Sequence, residues 1–160
     1  MELLSQSVLG RGLLLFWSAW FSVVFTSNLA DGLREAGVLP REWRLVSGNF
    51  KLIDQSIDIY SLGKSWAAIF FGAVVLAQLG AALLFWRAVL DRVSITKPDD
   101  RKALQAFLLG IGLFAAFLVA DELFIVYDRI SGLETTHLLV LCALLLSYLI
   151  SMRSGDRHAT

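Results

Sequence analysis

Six ionisable side chains lie in the short stretch between residues 120 and 137, and their types suit metal binding or proton transfer. The stretch joins two long apolar runs of the sequence. Ionisable groups at membrane depth are costly, so they usually face protein, water or a bound ion rather than lipid. We therefore expect any chemistry to depend on these residues: Asp121, Glu122, Asp128, Arg129, Glu134 and His137.

Glu134 and His137 form a Glu-x-x-His pair, a spacing that places a carboxylate and an imidazole on one face of a helix. In helix bundles that bind two iron or manganese ions, this motif occurs on two helices, and the other two supply further glutamates. Here the motif occurs once. The metal hypothesis therefore takes Glu122, Glu134 and His137 as ligands of a transition metal ion, with Asp31 as a further oxygen donor.

Two other hypotheses explain the same residues. In the structural one, which we favour, no cofactor is bound. Glu134 then stabilises the start of a helix through the helix dipole, Glu122 pairs with Arg129, and His137 hydrogen-bonds locally. In the other, the intramembrane charges form a proton relay or bind a polar ligand.

The composition indicates a membrane protein. Of the 160 residues, 57% are hydrophobic and 18% are charged, whereas soluble domains are about 45–50% apolar and about 25% charged. The apolar residues fall in blocks, and the formal net charge of +0 gives no indication of nucleic acid. A single cysteine, Cys142, excludes a disulfide framework and a dithiol pair; we expect it to be buried.

The apolar blocks predict an all-α integral membrane protein with four antiparallel transmembrane helices in one domain, residues 1–160. The predicted spans are residues 12–30, 66–90, 103–127 and 136–152. In the third span, residues 123–126 are expected to continue the helix. Between the first two spans, helical spacing predicts an interfacial amphipathic helix over residues 50–61, with Asn49 as its N-cap.

Polar and small residues within the spans predict how the helices pack. Asn28 and Asp31 lie on one face of the first span, at the same membrane side as the six ionisable residues, and complete the predicted polar cluster. Gln78 is expected to hydrogen-bond another helix. Gly112, Ala116 and Ala120 recur every four residues, so we expect this small-residue seam to face another helix.

The loop charges set the expected orientation. Lysine and arginine favour the cytoplasmic side of a membrane. One side would carry eight of the 14 basic residues and the other side six. Both termini are therefore predicted to be cytoplasmic, most simply in a bacterial inner (plasma) membrane.

The leading functional expectation is a non-catalytic subunit or assembly factor of a larger membrane complex. Its partners would be the lipid bilayer and other membrane subunits or a second copy of itself, with no nucleic acid. One alternative is a small membrane enzyme or a redox or metal-binding module that uses the extracytoplasmic polar cluster. A second alternative is a proton-coupled carrier that acts as a dimer.

Overall fold

The computed structural model describes residues 2–93, 100–126 and 130–156. Within these ranges the chain is helical, with no β-strand. Five α-helices follow one another, and a short 3₁₀ turn, Asp58–Tyr60, comes after the second. The helices are α1 (Glu2–Glu35), α2 (Asn49–Ile57), α3 (Lys64–Val93), α4 (Asp100–Leu123) and α5 (Leu133–Asp156).

Four of these helices are long and apolar enough to cross a membrane, so the prediction of a multi-pass membrane protein is confirmed. The membrane-length segments are Val8–Glu35, Lys64–Arg92, Asp100–Leu123 and Leu133–Ser151. Each contains at least the roughly 17 residues that a span requires. The helices extend beyond most of the predicted bounds, because polar residues continue the helical hydrogen bonding past the apolar blocks.

The third span ends earlier than predicted. Helix α4 stops at Leu123 instead of continuing to residue 127, because Ile125 adopts a left-handed backbone with φ of 51°. A β-branched residue in this conformation cannot continue an α-helix. Phe124 and Val126 turn inward, and Val126 is buried. The segment after α4 therefore packs on the protein instead of extending the span.

Apolar side chains from all four long helices form the core. Helix α1 packs against α3 and α5, and α4 packs against α3 and α5, so the four helices contact one another in a ring. Phe21, Phe85 and Phe107 are fully buried where α1, α3 and α4 meet. The Phe21 ring stacks on Phe85, and Phe85 meets Phe107 edge-on. Leu144 of α5 completes this layer.

The small-residue seam of α4 does not face another helix of the described chain at Gly112 and Ala116, and its last member, Ala120, is half-buried. Gly112 and Ala116 are exposed, and a Cβ placed on Gly112 would meet nothing within 4 Å. The buried face of α4 carries Gly110 and Phe114 instead. Both faces of a membrane helix are apolar, so the spacing of small residues did not identify the inner one. The prediction that Cys142 is buried is also wrong, since its side chain is exposed.

Gly110 and Gly112 therefore give a matched test of helix packing. A Cβ on Gly110 would lie 3.3 Å from both Leu144 Cδ2 and Phe21 Cζ. Gly110→Leu should overpack this contact and destabilise the protein by about 1–3 kcal/mol. Gly112→Leu should be tolerated. Thermal unfolding of the detergent-solubilised protein measures the difference, and equal midpoints for the two variants would contradict the packing described here.

Candidate functional site

A cavity of about 190 Å³ lies between α2, α3, α4, α5 and residues 124–126, the segment that follows α4. Apolar side chains form most of its wall, and Phe70, Phe117 and Phe124 are the aromatic ones. The polar side chains that line it come from four separate elements: Asn49 and Ser56 from α2, Gln78 from α3, Asp121 from α4 and His137 from α5. A mostly apolar pocket with a few convergent polar groups is typical of a small-molecule site.

Asp121 and His137 form a hydrogen-bonded pair on one side of this cavity. His137 Nδ1 lies 2.6 Å from Asp121 Oδ2, and Asp121 is only 3% exposed. Because a carboxylate only accepts hydrogen bonds, we assign the shared proton to Nδ1, which then donates to Asp121. The second ring nitrogen, Nε2, has no hydrogen-bond partner among the described residues. The His137 ring is held against Phe117, with 4.9 Å between ring centroids.

Three amide side chains form a hydrogen-bonded chain on a second side of the cavity. Asn49 Nδ2 donates to Asn28 Oδ1 over 2.9 Å, and Asn28 Nδ2 donates to Gln78 Oε1 over 2.7 Å. This confirms the expectation that Gln78 bonds to another helix. Gln78 is 4% exposed and lines the cavity. Its amide nitrogen, Nε2, has no acceptor among the described residues, so the chain of donors ends there.

The carboxylate of Asp31 holds α2 over the cavity. Asp31 is 1% exposed, and its Oδ2 accepts hydrogen bonds from the Phe50 amide at 2.9 Å and from Ser47 Oγ at 3.2 Å. Oδ1 pairs with Arg34 at 3.1 Å. A carboxylate at a helix N-terminus satisfies a free amide and complements the helix dipole. Asp31 of α1 thus caps α2 from a distant part of the chain.

This arrangement corrects the expected cap of α2. Asn49 is the first residue of the helix, and the preceding Gly48 has a left-handed backbone with φ of 77° and no capping side chain. The Asn49 side chain bonds to Asn28 instead of to its own helix. Turn sequence alone did not identify Asp31, which lies 19 residues before Phe50, as the capping group.

The segment after α4 closes another part of the cavity. Phe124 lines it and contacts the rings of Tyr60 and Phe70. The Tyr60 hydroxyl donates a hydrogen bond to the Leu123 carbonyl over 2.8 Å. That carbonyl lies at the end of α4, where backbone acceptors lack helical partners. Tyr60 therefore supplies a hydrogen-bond donor at the end of α4, where the chain turns inward.

The structure brings together some residues of the predicted polar cluster and separates others. Asp121 and His137 meet at the cavity, whereas Asn28 and Asp31 belong to the hydrogen bonds that hold α2 in place. Glu122 is exposed, and Glu134 lies in the first turn of α5, where its charge complements the helix dipole. Asp128 and Arg129 lie outside the described residues.

Glu122, Glu134 and His137 do not assemble into a metal site within the described residues, in which no three His, Cys, Asp or Glu side chains come close enough to hold an ion. Helical geometry gives the reason. Asp121 and Glu122 point about 100° apart, so only one of them can face His137. Both carboxylates were candidates from the sequence, and in the structure Asp121 is the one that contacts His137.

The sequence did not identify Gln78 and Asn49 as cavity residues. Gln78 was predicted only to hydrogen-bond another helix, and Asn49 only to cap α2. Both positions depend on contacts between residues at least 21 apart in the chain. A lone amide in a membrane helix was the one available signal, since such a group requires a partner.

The chain matches no protein-family model, no curated protein and no solved structure. Function must therefore be inferred from the side chains themselves.

Asp31→Asn should loosen α2. The change removes the charge that the Phe50 amide, Ser47 and Arg34 share, and hydrogen bonds to charged groups contribute about 1.5–3 kcal/mol each. Hydrogen–deuterium exchange should become faster across residues 49–57 and change little in α4. Glu35→Gln is the control, because Glu35 is exposed on the same helix. Unchanged exchange in α2 would show that Asp31 does not anchor it.

Asp121→Ala and Glu122→Ala distinguish the buried carboxylate from its exposed neighbour. Asp121→Ala leaves the half-buried His137 N–H without its acceptor, which should cost about 1–3 kcal/mol. Glu122→Ala should change the free energy of unfolding by no more than about 0.5 kcal/mol, as for most surface positions. Unfolding in detergent measures both. A larger loss for Glu122→Ala would mean that the wrong carboxylate has been assigned to His137.

Proposed function

We propose that this chain is a membrane binding protein that holds one small, mainly apolar molecule in the cavity between α2, α3, α4 and α5. The observation that supports this most directly is that Gln78 and His137 line a mainly apolar cavity, while Gln78 Nε2 and His137 Nε2 have no hydrogen-bond partner among the described residues. A buried polar group that lacks a partner is costly. A ligand that bonds to both side chains offsets that cost.

The size of the cavity suits a ligand with one ring. An apolar cavity of roughly 150 Å³ engineered in another protein holds a benzene molecule. The cavity here has about 190 Å³, which is enough for a substituted six-membered ring. Such a molecule dissolves in the bilayer, so it reaches the cavity from the membrane without crossing water.

Two forms of catalysis receive less support from the geometry. The Asp121–His137 pair resembles two members of a hydrolytic triad, and Ser56 also lines the cavity. However, the Ser56 hydroxyl donates to the Leu52 carbonyl over 2.8 Å and makes no hydrogen bond to His137. Metal catalysis would need ligands beyond the single Asp–His pair. We therefore propose binding rather than catalysis.

In the proposed topology, the four spans run antiparallel. Contacts between α1 and α3 support this. Ser22 bonds to Trp86 and Asn28 bonds to Gln78, so residue numbers rise along α1 in the direction in which they fall along α3. Helix α2 would lie at the membrane surface on the extracytoplasmic side. Its Lys51 is exposed, while its Ile57 is buried.

Both termini would be cytoplasmic in a bacterial inner membrane, as the basic residues of the loops indicate. A reporter that is active only in the periplasm should therefore be inactive when fused after Thr160 and active when inserted at Gly48. The reverse pattern would overturn the proposed orientation without affecting the cavity.

The second proposal is that the chain acts as a non-catalytic subunit or assembly factor, with another membrane protein or a second copy on the outer face of α4. The exposed Gly112 and Ala116 support it, because small residues allow close contact between membrane helices. Cross-linking through a cysteine introduced at Ala116 tests this proposal, once the exposed Cys142 has been replaced by serine. A single partner band should form with Ala116→Cys and be absent with Leu83→Cys on the exposed face of α3.

Filling the cavity tests the binding proposal. Ala120 lines the cavity, whereas Ala116, one turn earlier, is exposed. Mass spectrometry of gently purified protein should find a small apolar molecule in the unmodified chain and in Ala116→Phe. Ala120→Phe should retain at least about tenfold less of this molecule, which corresponds to a loss of about 1.4 kcal/mol of binding free energy. The same molecule at equal amounts in all three proteins, or in none, would refute the proposal.

A further inference from the structure

The hydrogen-bonding groups of the cavity define the chemistry of its ligand more narrowly. This inference rests on the proposed function and concerns which class of molecule is bound. The relevant features are the two polar side chains on different walls, the charge of Asp121 and the aromatic side chains around them.

Gln78 offers hydrogen-bond donors from α3. Its Oε1 already accepts from Asn28 over 2.7 Å, so the Nε2 hydrogens of this cavity-lining side chain are the ones that remain without an acceptor among the described residues. Asn28 is fixed in turn by Asn49. The direction of the amide hydrogen bonds therefore makes Gln78 a donor toward the ligand. The ligand atom beside it must be an acceptor, such as a carbonyl oxygen.

His137 offers a group from α5 that can act in two ways. With its Nδ1 proton directed to Asp121, the neutral imidazole accepts a hydrogen bond at Nε2, whereas the protonated imidazolium donates one. The carboxylate of Asp121 holds the ring in the same orientation in both forms, as it does in other Asp–His pairs. His137 can therefore bond to a hydroxyl of the ligand in one form and to a carbonyl oxygen in the other.

The charge and walls of the cavity limit the rest of the molecule. The Asp121 carboxylate disfavours an anion, and the His137 N–H that already binds it reduces its attraction for a cation. Phe70, Phe117 and Phe124 provide surfaces on which a flat ring packs. These features favour a neutral, planar ligand that carries carbonyl or hydroxyl oxygens at two positions of its ring.

We propose that the cavity binds the ring of a membrane quinone or quinol. The oxygen substituent at one end of the ring bonds to the Gln78 amide, and the one at the other end bonds to His137. A quinone carries carbonyl acceptors at opposite ends of one six-membered ring, and its quinol form carries hydroxyls at the same positions. The neutral imidazole accepts from the quinol hydroxyl, and the imidazolium donates to the quinone carbonyl. The apolar tail of the molecule extends into the lipid.

The first test identifies the molecule that the cavity-filling variant displaces. Solvent extraction of protein purified from native membranes, followed by chromatography, should give close to one quinone or quinol per chain. Ala120→Phe should remove it, and Ala116→Phe should retain it. A fatty acid, a phospholipid or a cationic amphiphile displaced by Ala120→Phe would overturn the quinone assignment and leave the binding proposal standing. If Ala120→Phe displaces nothing, both fail.

The second test uses the two hydrogen bonds. A quinone with a short alkyl tail, added to delipidated protein, should bind at least about tenfold more weakly to Gln78→Leu and to His137→Leu, since each change removes about 1.4 kcal/mol or more. Thr26→Val is the control, because Thr26 is exposed and its hydroxyl bonds only to the Ser22 carbonyl. Equal affinity for all four proteins would overturn the assignment.

Infrared spectra of the bound quinone report on its hydrogen bonds directly, so they test the assignment even where a variant is less stable. Labelling one carbonyl or the other with ¹³C, in separate samples, assigns each stretching band to its carbonyl, and different hydrogen-bond partners should give the two carbonyls different frequencies. His137→Gln, which keeps a polar side chain, should shift only one of the two bands, and Thr26→Val should shift neither. The same frequency for the labelled carbonyl in both samples of the unmodified protein would contradict bonding to Gln78 and His137.

Discussion

Burying a polar side chain between membrane-length helices is costly unless it finds a partner, and this constraint shapes the structure around the cavity. The Asp31 carboxylate shows it most clearly. It is 1% exposed, and it receives hydrogen bonds from Arg34, Ser47 and the Phe50 amide. In an apolar environment an unpaired carboxylate is too costly to retain. Burial of the Asp31 carboxylate is therefore tolerated because Ser47 and the Phe50 amide donate hydrogen bonds to it. The same hydrogen bonds hold α2 in position.

The remaining polar groups extend this relation to the cavity. Asn28 lies one turn before Asp31 on α1 and connects α2 to α3 through Asn49 and Gln78. Asp121 and His137 connect α4 to α5 in the same manner. At the cavity, the amide hydrogens of Gln78 and one imidazole nitrogen of His137 are left without partners among the described residues. A site that binds a ligand differs from a purely structural network in keeping such groups available.

The sequence predicted the fold well and the site in part, for physical reasons that differ between the two. Long apolar blocks can only be helices in lipid, so the four spans were evident. The end of α4 was not, because the left-handed backbone of Ile125 depends on where Phe124 and Val126 pack. Asp121 and His137 were named as candidates, but their pairing depends on how α4 and α5 are rotated. Asn49 and Gln78 reach the site through contacts between distant segments, which no local spacing encodes.

The central claim is that the cavity between Gln78 and His137 is a binding site held open by the anchoring of α2. An experimental structure of the protein in lipid nanodiscs prepared from native membranes, without added detergent, tests it most directly. We expect density for a ring-sized molecule between the Gln78 amide and the His137 imidazole, with α2 bonded to Asp31. A cavity closed by the Phe124 side chain, with Gln78 Nε2 and His137 Nε2 bonded to protein groups, would contradict it.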